Sequence, residues 1–272
     1  MKINKIIRGL TCFFFLIATA AFKPGSGKEF VVNTRFQPLP TSITFEREVV
    51  QQVRDDETGN KSTITYYFTV NGDYAAVKMP KEEDGDEGLF MVYAKGGATW
   101  MFDDKRKKII VMNMAKTMGE GIKMGVDAAE AVSKKKLPKQ SKEEEEFTLV
   151  KTGKTKLTAG YMAEEYQLKN KKGEASSIWY AKVDFDPVKI YTLGAGRGSD
   201  PDKIKNDPKF KNNLFAIPVL NKNYLLTEVS AGGQTGTLTI SIKPKNFVVY
   251  TVGYKVEEMK SLKDMLKKSS NE

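Results

Sequence analysis

Carboxylates are the residues best placed to do chemistry in this 272-residue chain, because it holds no histidine and a single cysteine, Cys12. Ser-His-Asp and Cys-His nucleophiles, zinc-histidine centres and haem-histidine ligation are excluded on that ground. Paired acids could still hydrolyse a glycoside, which needs only two carboxyl groups at a suitable separation. The adjacent pair Glu164-Glu165 fails that requirement, since neighbours in an extended strand point to opposite faces. No aromatic-rich sugar platform stands beside a matched pair, and no Ser-Lys or threonine nucleophile has a supporting pattern. The run 81–88, Lys-Glu-Glu-Asp-Gly-Asp-Glu-Gly, could offer oxygen ligands to calcium but lacks the twelve-residue loop spacing, so a solvated hairpin loop is expected. Gly194-Ala195-Gly196-Arg197-Gly198 has the glycines of a phosphate loop without the preceding buried strand or the dinucleotide spacing. Asp200, Asp202 and Asp207 read as capping and turn residues. The chain is therefore expected to be non-enzymatic, with no cofactor and no metal.

What remains to be explained is where such a chain works. Lys2, Lys5 and Arg8 precede an apolar run over 10–21, and Ala18-Thr19-Ala20 ends that run in small residues. This is the pattern of an export signal, and about twelve residues are too few to cross a bilayer of roughly 30 Å as a helix. Cys12 sits inside the apolar run instead of after it, so the pattern is not that of a lipoprotein. An exported protein of the periplasm or the extracellular space is expected, whose mature form has no thiol and no disulfide. The whole sequence carries 44 basic and 34 acidic residues, a formal net charge of +10. Lysine dominates and is interspersed with acids, which is a solvated surface and not a nucleic-acid footprint. A peripheral attraction to anionic lipid headgroups is the alternative use of that charge.

The organisation follows from the hydrophobic periods. Residues 1–21 form the signal, 22–40 a flexible lead-in rich in Pro and Gly, 41–268 a single domain and 269–272 a polar tail. Ile43 and Phe45 open a strand that runs on through Val49, Gln51 and Val53. Ile64, Tyr66, Phe68 and Val70 alternate with Thr63, Thr65, Tyr67 and Thr69, the clearest period of two in the chain. Asn71-Gly72 then turns the chain into 74–79. Segments 89–94, 98–103 and 107–112 read as a meander. In 113–132, Met114, Met118, Ile122, Val126 and Ala129 recur at helical spacing, softened by Gly119, Gly121 and Gly125, each costing up to about 1 kcal/mol relative to alanine. Such a methionine-rich helix could be a lid over an apolar cavity or a packing helix with methionine in the core. Segment 133–146 reads as a connection, and 184–213 as irregular. Further strands are expected at 214–220, 224–229, 237–242 and 247–252, before an amphipathic closing helix carrying Val256, Met259, Leu262 and Leu266.

The stretch 152–182 reads as a central hairpin. Met162, Tyr166 and Leu168 share one face of its first strand. Ile178 and Tyr180 share one face of the returning strand, with Trp179 and Ala181 on the other. Large side chains on both faces suggest a sheet covered on both sides. Its run Lys154-Thr155-Lys156, Ala159-Gly160-Tyr161 and Glu164-Glu165-Tyr166, followed by a strand with Trp179, resembles a family of secreted bacterial domains of unknown function grouped with the LolA, LolB and LppX-like superfamily. The resemblance extends loosely over 41–254 and is specific in the hairpin alone. Many members carry a cysteine two residues after the Gly-Tyr pair, where this chain has Ala163.

What the resemblance implies is a mainly β, α+β fold: a strongly curved antiparallel sheet, or half-barrel, covered by one or two amphipathic helices. It also implies a lipid or lipoprotein acyl chain as ligand. On that fold, Phe45, Tyr66, Phe68, Met91, Trp100, Met112, Met118 and Ile122 are the expected lining of an apolar cavity. The competing expectation is a structural or protein-interaction module of the cell envelope whose sheet face is filled by its own side chains.

Overall fold

The computed structural model describes residues 39–55, 58–80, 88–94, 98–113, 148–169, 173, 175–188, 190–191 and 223–259. These form β1 (Ser42–Arg54), β2 (Lys61–Phe68), β3 (Tyr74–Lys78), β4 (Phe90–Ala94), β5 (Ala98–Asp103), β6 (Lys108–Asn113), β7 (Thr148–Thr158), β8 (Tyr161–Lys169), β9 (Ala175–Lys182), β10 (Tyr224–Ala231), β11 (Gln234–Tyr250) and β12 (Lys255–Glu258). All twelve belong to one open sheet in the order β12-β6-β5-β4-β3-β2-β1-β11-β10-β9-β8-β7. The chain is mainly β, as its period-two patterning requires. The sheet is mixed instead of antiparallel, because β12 runs parallel to β6.

Among the described residues the only helical positions are 188, 190 and 191, so covering helices are not part of what the structure describes. Apart from Asn113, which ends β6, the methionine-rich helix expected over 113–132 lies outside the described residues, as do the connection 133–146, the strand 214–220 and residues 81–87 of the acidic loop 81–88. The closing helix is corrected at its start: Val256 lies in β12, whose backbone continues the ladder of β6 from Lys255 opposite Lys108 to Glu258 opposite Val111.

The middle of the sheet is the long ladder between β1 and β11, not the hairpin at 152–182. Residues 237–242 and 247–252, expected as separate strands, are joined in the 17-residue β11. Pro244 lies inside it, opposite Arg47, at a register break between Phe45 and Arg47. A proline cannot donate to a ladder and is accommodated at such a bulge. The stretch 152–182 in turn makes three strands at one end of the sheet. A second reversal at Ala159 (φ 49°) and Gly160 (φ 85°) separates β7 from β8. Two consecutive left-handed residues are what a tight hairpin turn demands.

The bulge, whose extra residue belongs to β11, also separates two parts of β1 that meet different clusters. Past it, Val49 belongs to the cluster of Tyr66, Phe68, Met91 and Met112, whereas before it Ile43 and Phe45 belong to the cluster of Tyr67, Val92, Trp100 and Phe102. The tips of β1 and β11 beyond the bulge pair only with each other among the described strands. The ring of Phe247 in β11 lies 6.0 Å from that of Phe90 in β4 and 4.5 Å from that of Tyr67. Four strand spacings in a flat sheet would hold β11 and β4 roughly 19 Å apart. The two-stranded tip therefore leaves the sheet plane and folds across one face, the outer face. Phe45, Tyr67, Phe90, Phe102, Phe247 and Tyr254 form a chain of ring contacts beneath it.

The opposite, inner face is closed in a different way. After β9 the chain continues the ladder for one residue, Val183 N–H donating to Asn223 O, and then turns across the sheet. Phe185 stacks on Phe68 of β2 with centroids 4.7 Å apart, although three strands separate β2 from β9 in the sheet. Asp186 comes against the turn between β2 and β3. A Cβ added at Gly72 (φ 70°) would stand 3.1 Å from the Asp186 Cβ. Gly72 is thus required both by its left-handed backbone and by this close approach.

Candidate functional site

Strand register assembles the inner face into two rows. Val49, Tyr66, Val77, Met91, Met101 and Ile110 are directly opposed in turn across β1 to β6. One step along, Arg47, Phe68, Ala75, Tyr93, Thr99 and Met112 make the second row. Most of these side chains are buried, while Met101 and Ile110 at the β5–β6 end are only partly so. The two rows are apolar apart from hydroxyls and one guanidinium. The guanidinium is neutralised: Arg47 Nε donates to both Asp184 carboxylate oxygens at 3.1 Å. This pairing holds the Asp184 carboxyl below its ordinary range.

Segment 183–191 forms the cover over part of these rows. Phe185 is fully buried, and the Tyr191 hydroxyl accepts from Leu226 N–H at 2.7 Å. Tyr191 lies close enough to both Tyr66 and Tyr180 for their hydroxyls to feel it electrostatically. Burial pushes Tyr66, Tyr93, Tyr180 and Tyr191 well above the usual phenol range, so all four are neutral.

Of the residues expected to line one cavity, Tyr66, Phe68, Met91 and Met112 do share this inner face. Phe45 and Trp100 stand on the outer face, and no single cavity can hold both sets. Period-two counting alone would keep Phe45 in step with Val49. They nevertheless fall in different clusters, on either side of the register break at which the tip of β1 and β11 leaves the sheet, and no residue in 43–49 signals it. Trp100 is on the outer face because Val92, its partner across β4, alternates with the inward Met91. Met118 and Ile122 lie outside the described residues. Sequence reasoning missed Tyr93, Thr99, Phe185 and Tyr191. Tyr93 could have been found from its spacing of two from Met91. Phe185 and Tyr191 could not, because the segment that carries them has no strand period.

A second cluster occupies the outer face of β7 to β10. Glu165, Trp179 and Glu228 are directly opposed on three neighbouring strands. Glu165 accepts from Ser177 Oγ at 2.6 Å and Thr152 Oγ1 at 2.8 Å, and Lys154 Nζ lies 3.4 Å away. These donors, Ser177 first, hold its carboxyl below the ordinary range. Lys156 Nζ sits 4.1 Å from the Trp179 ring centroid and is ion-paired with Glu228. Trp179 is therefore covered by a lysine of its own sheet, where a second layer was expected. A glycoside-cleaving pair needs one acid held protonated, and Glu165 is shifted the other way. Replacing Lys156 by methionine is expected to shift the emission of Trp179 in a Trp100→Phe background, and to cost about 1 kcal/mol or less. An unchanged spectrum would show that the ammonium does not shield this ring in solution.

No protein-family model matches the chain, and no curated protein matches it. Among solved structures it is similar to an uncharacterized conserved protein from Thermus thermophilus, at 11% identity and a TM-score of 0.37, over 79% of this chain and 91% of that one. It is also similar to a LolA superfamily protein from Nitrosomonas europaea, at 9% identity and a TM-score of 0.20, over 54% of this chain and 62% of that one. Likeness at this level carries no argument about activity, so the functional reading rests on the chain's own residues.

Proposed function

We propose that this chain is an exported, non-catalytic protein that binds a lipid or another apolar ligand against the inner face of its sheet. The observation that carries the reading is the double row from Val49 to Ile110 and from Phe68 to Met112. It is apolar over neighbouring strands and includes Met91, Met101 and Met112. Thioether side chains adapt to irregular ligand shapes better than branched ones. The absence of histidine from the sequence, and of a thiol from the mature form, supports a role without catalysis.

A second reading is favoured by the way Phe185 and Tyr191 lie on that face: a cell-envelope interaction module whose interior is filled by its own side chains. Native mass spectrometry of the purified mature protein, with organic extraction, separates the two. The expected result is a bound lipid, together with saturable uptake of a fluorescent fatty-acid methyl ester. Protein free of lipid that takes up no probe would overturn the carrier and leave the filled module.

A further inference from the structure

Within the inner face one polar atom has no partner. Thr99 is fully buried in β5, and its Oγ1 makes no hydrogen bond, alone among the buried side-chain polar atoms of the described residues. A β-branched hydrocarbon would satisfy the strand and the packing equally well, so the hydroxyl costs stability where it stands. Directly opposite it in β4 is Tyr93, whose hydroxyl has a thioether as its partner, Met91 Sδ at 3.9 Å. Sulfur is a weak acceptor, so this phenol has unspent donor capacity. Met112 flanks Thr99 on its other side in β6. Two under-used hydroxyls thus stand side by side on adjoining strands of an otherwise apolar surface. Met101 and Ile110, one step along the same face, are only partly buried, and ligand could approach over them.

We propose that Thr99 and Tyr93 form the polar station of the ligand site, hydrogen-bonding an uncharged ester, amide or alcohol group of an amphiphile whose hydrocarbon lies along the neighbouring row of Met91, Met101 and Ile110. The inference rests on the apolar-ligand reading above and specifies the class of ligand. The group is uncharged because the rows hold only one cation, Arg47 at the far end, and that is committed to Asp184. A carboxylate buried at Thr99 would have no counter-ion.

The test is equilibrium binding of 1-monoolein, oleate and 1-octadecene at pH 8 to the full mature chain and to Thr99→Val and Thr99→Ser. Wild type is expected to bind monoolein more tightly than oleate. Thr99→Val should bind monoolein about tenfold more weakly, the loss of one hydrogen bond between neutral groups. It should bind octadecene unchanged and melt no lower than wild type, and Thr99→Ser should retain monoolein binding. Equal monoolein affinity in Thr99→Val, an equal loss of octadecene, or tighter binding of oleate than monoolein by wild type would overturn the polar station alone. If wild type binds none of the three, the apolar-ligand reading falls with it.

Discussion

Replacing Phe185 with alanine should lower stability by about 3–5 kcal/mol, the range for removing a buried aromatic side chain. In a domain of this size that corresponds to a fall in melting temperature on the order of 10 °C. The side chain is fully buried and stacked on Phe68, and it belongs to a segment with no strand neighbour beyond Val183 to share the loss. The same variant weighs the two readings of the inner face. If the face takes a ligand alongside the segment, the truncated side chain leaves room, and uptake of the fluorescent ester per folded molecule should rise or hold. If the face is a filled core, Phe185→Ala should lose stability and gain no uptake. Calorimetry and ester titration on one preparation give both values. A loss of less than about 1 kcal/mol would mean that segment 183–191 does not pack on β2 in solution.

Trp100→Ala should be comparably costly, again about 3–5 kcal/mol. Trp100 is 2% exposed and lies 5.7 Å, centroid to centroid, from Tyr74. Its neighbours across the strands are Val92 and Val111, all on the outer face. Its removal should therefore leave ligand affinity unchanged once unfolded protein is accounted for. Met91→Ala, one strand away but on the inner face, should weaken it. This contrast is the sharpest test of the face assignment. A Trp100→Ala protein that remains folded but no longer binds the ester would place the ligand on the wrong side of the sheet.

The two variants also show where the sequence spoke and where it was silent. Tyr66 and Phe68 were readable as one face of a strand because β2 is regular: side chains alternate strictly and no residue is inserted. Phe45 and Val49 are both on odd-numbered positions of one strand, yet they point to opposite faces. Between them the two-stranded tip leaves the sheet, at a register break on β11 where Pro244 stands opposite Arg47, nearly two hundred residues away in sequence. Glu164 and Glu165 were correctly read as facing opposite ways, since that follows from the pleat alone. The companion of Glu165 across Trp179 is Glu228, supplied by a strand that local sequence does not connect to it.

By itself, then, the sequence determined the β character of this protein, the regular faces of β2 and β8, the turn at Asn71-Gly72, and the absence of imidazole chemistry. These are properties of neighbouring residues or of composition, and period-two alternation and turn propensity carry them locally. Only the tertiary structure decided that β1 and β11 form the middle of the sheet, that β12 joins it in parallel, and that Phe45 and Trp100 lie on the far side from Tyr66. It also decided that Phe185 and Tyr191 lie across the inner face. Each of these depends on pairing between segments far apart in sequence, where the free energy comes from burying two surfaces against each other and leaves no periodic mark on either one.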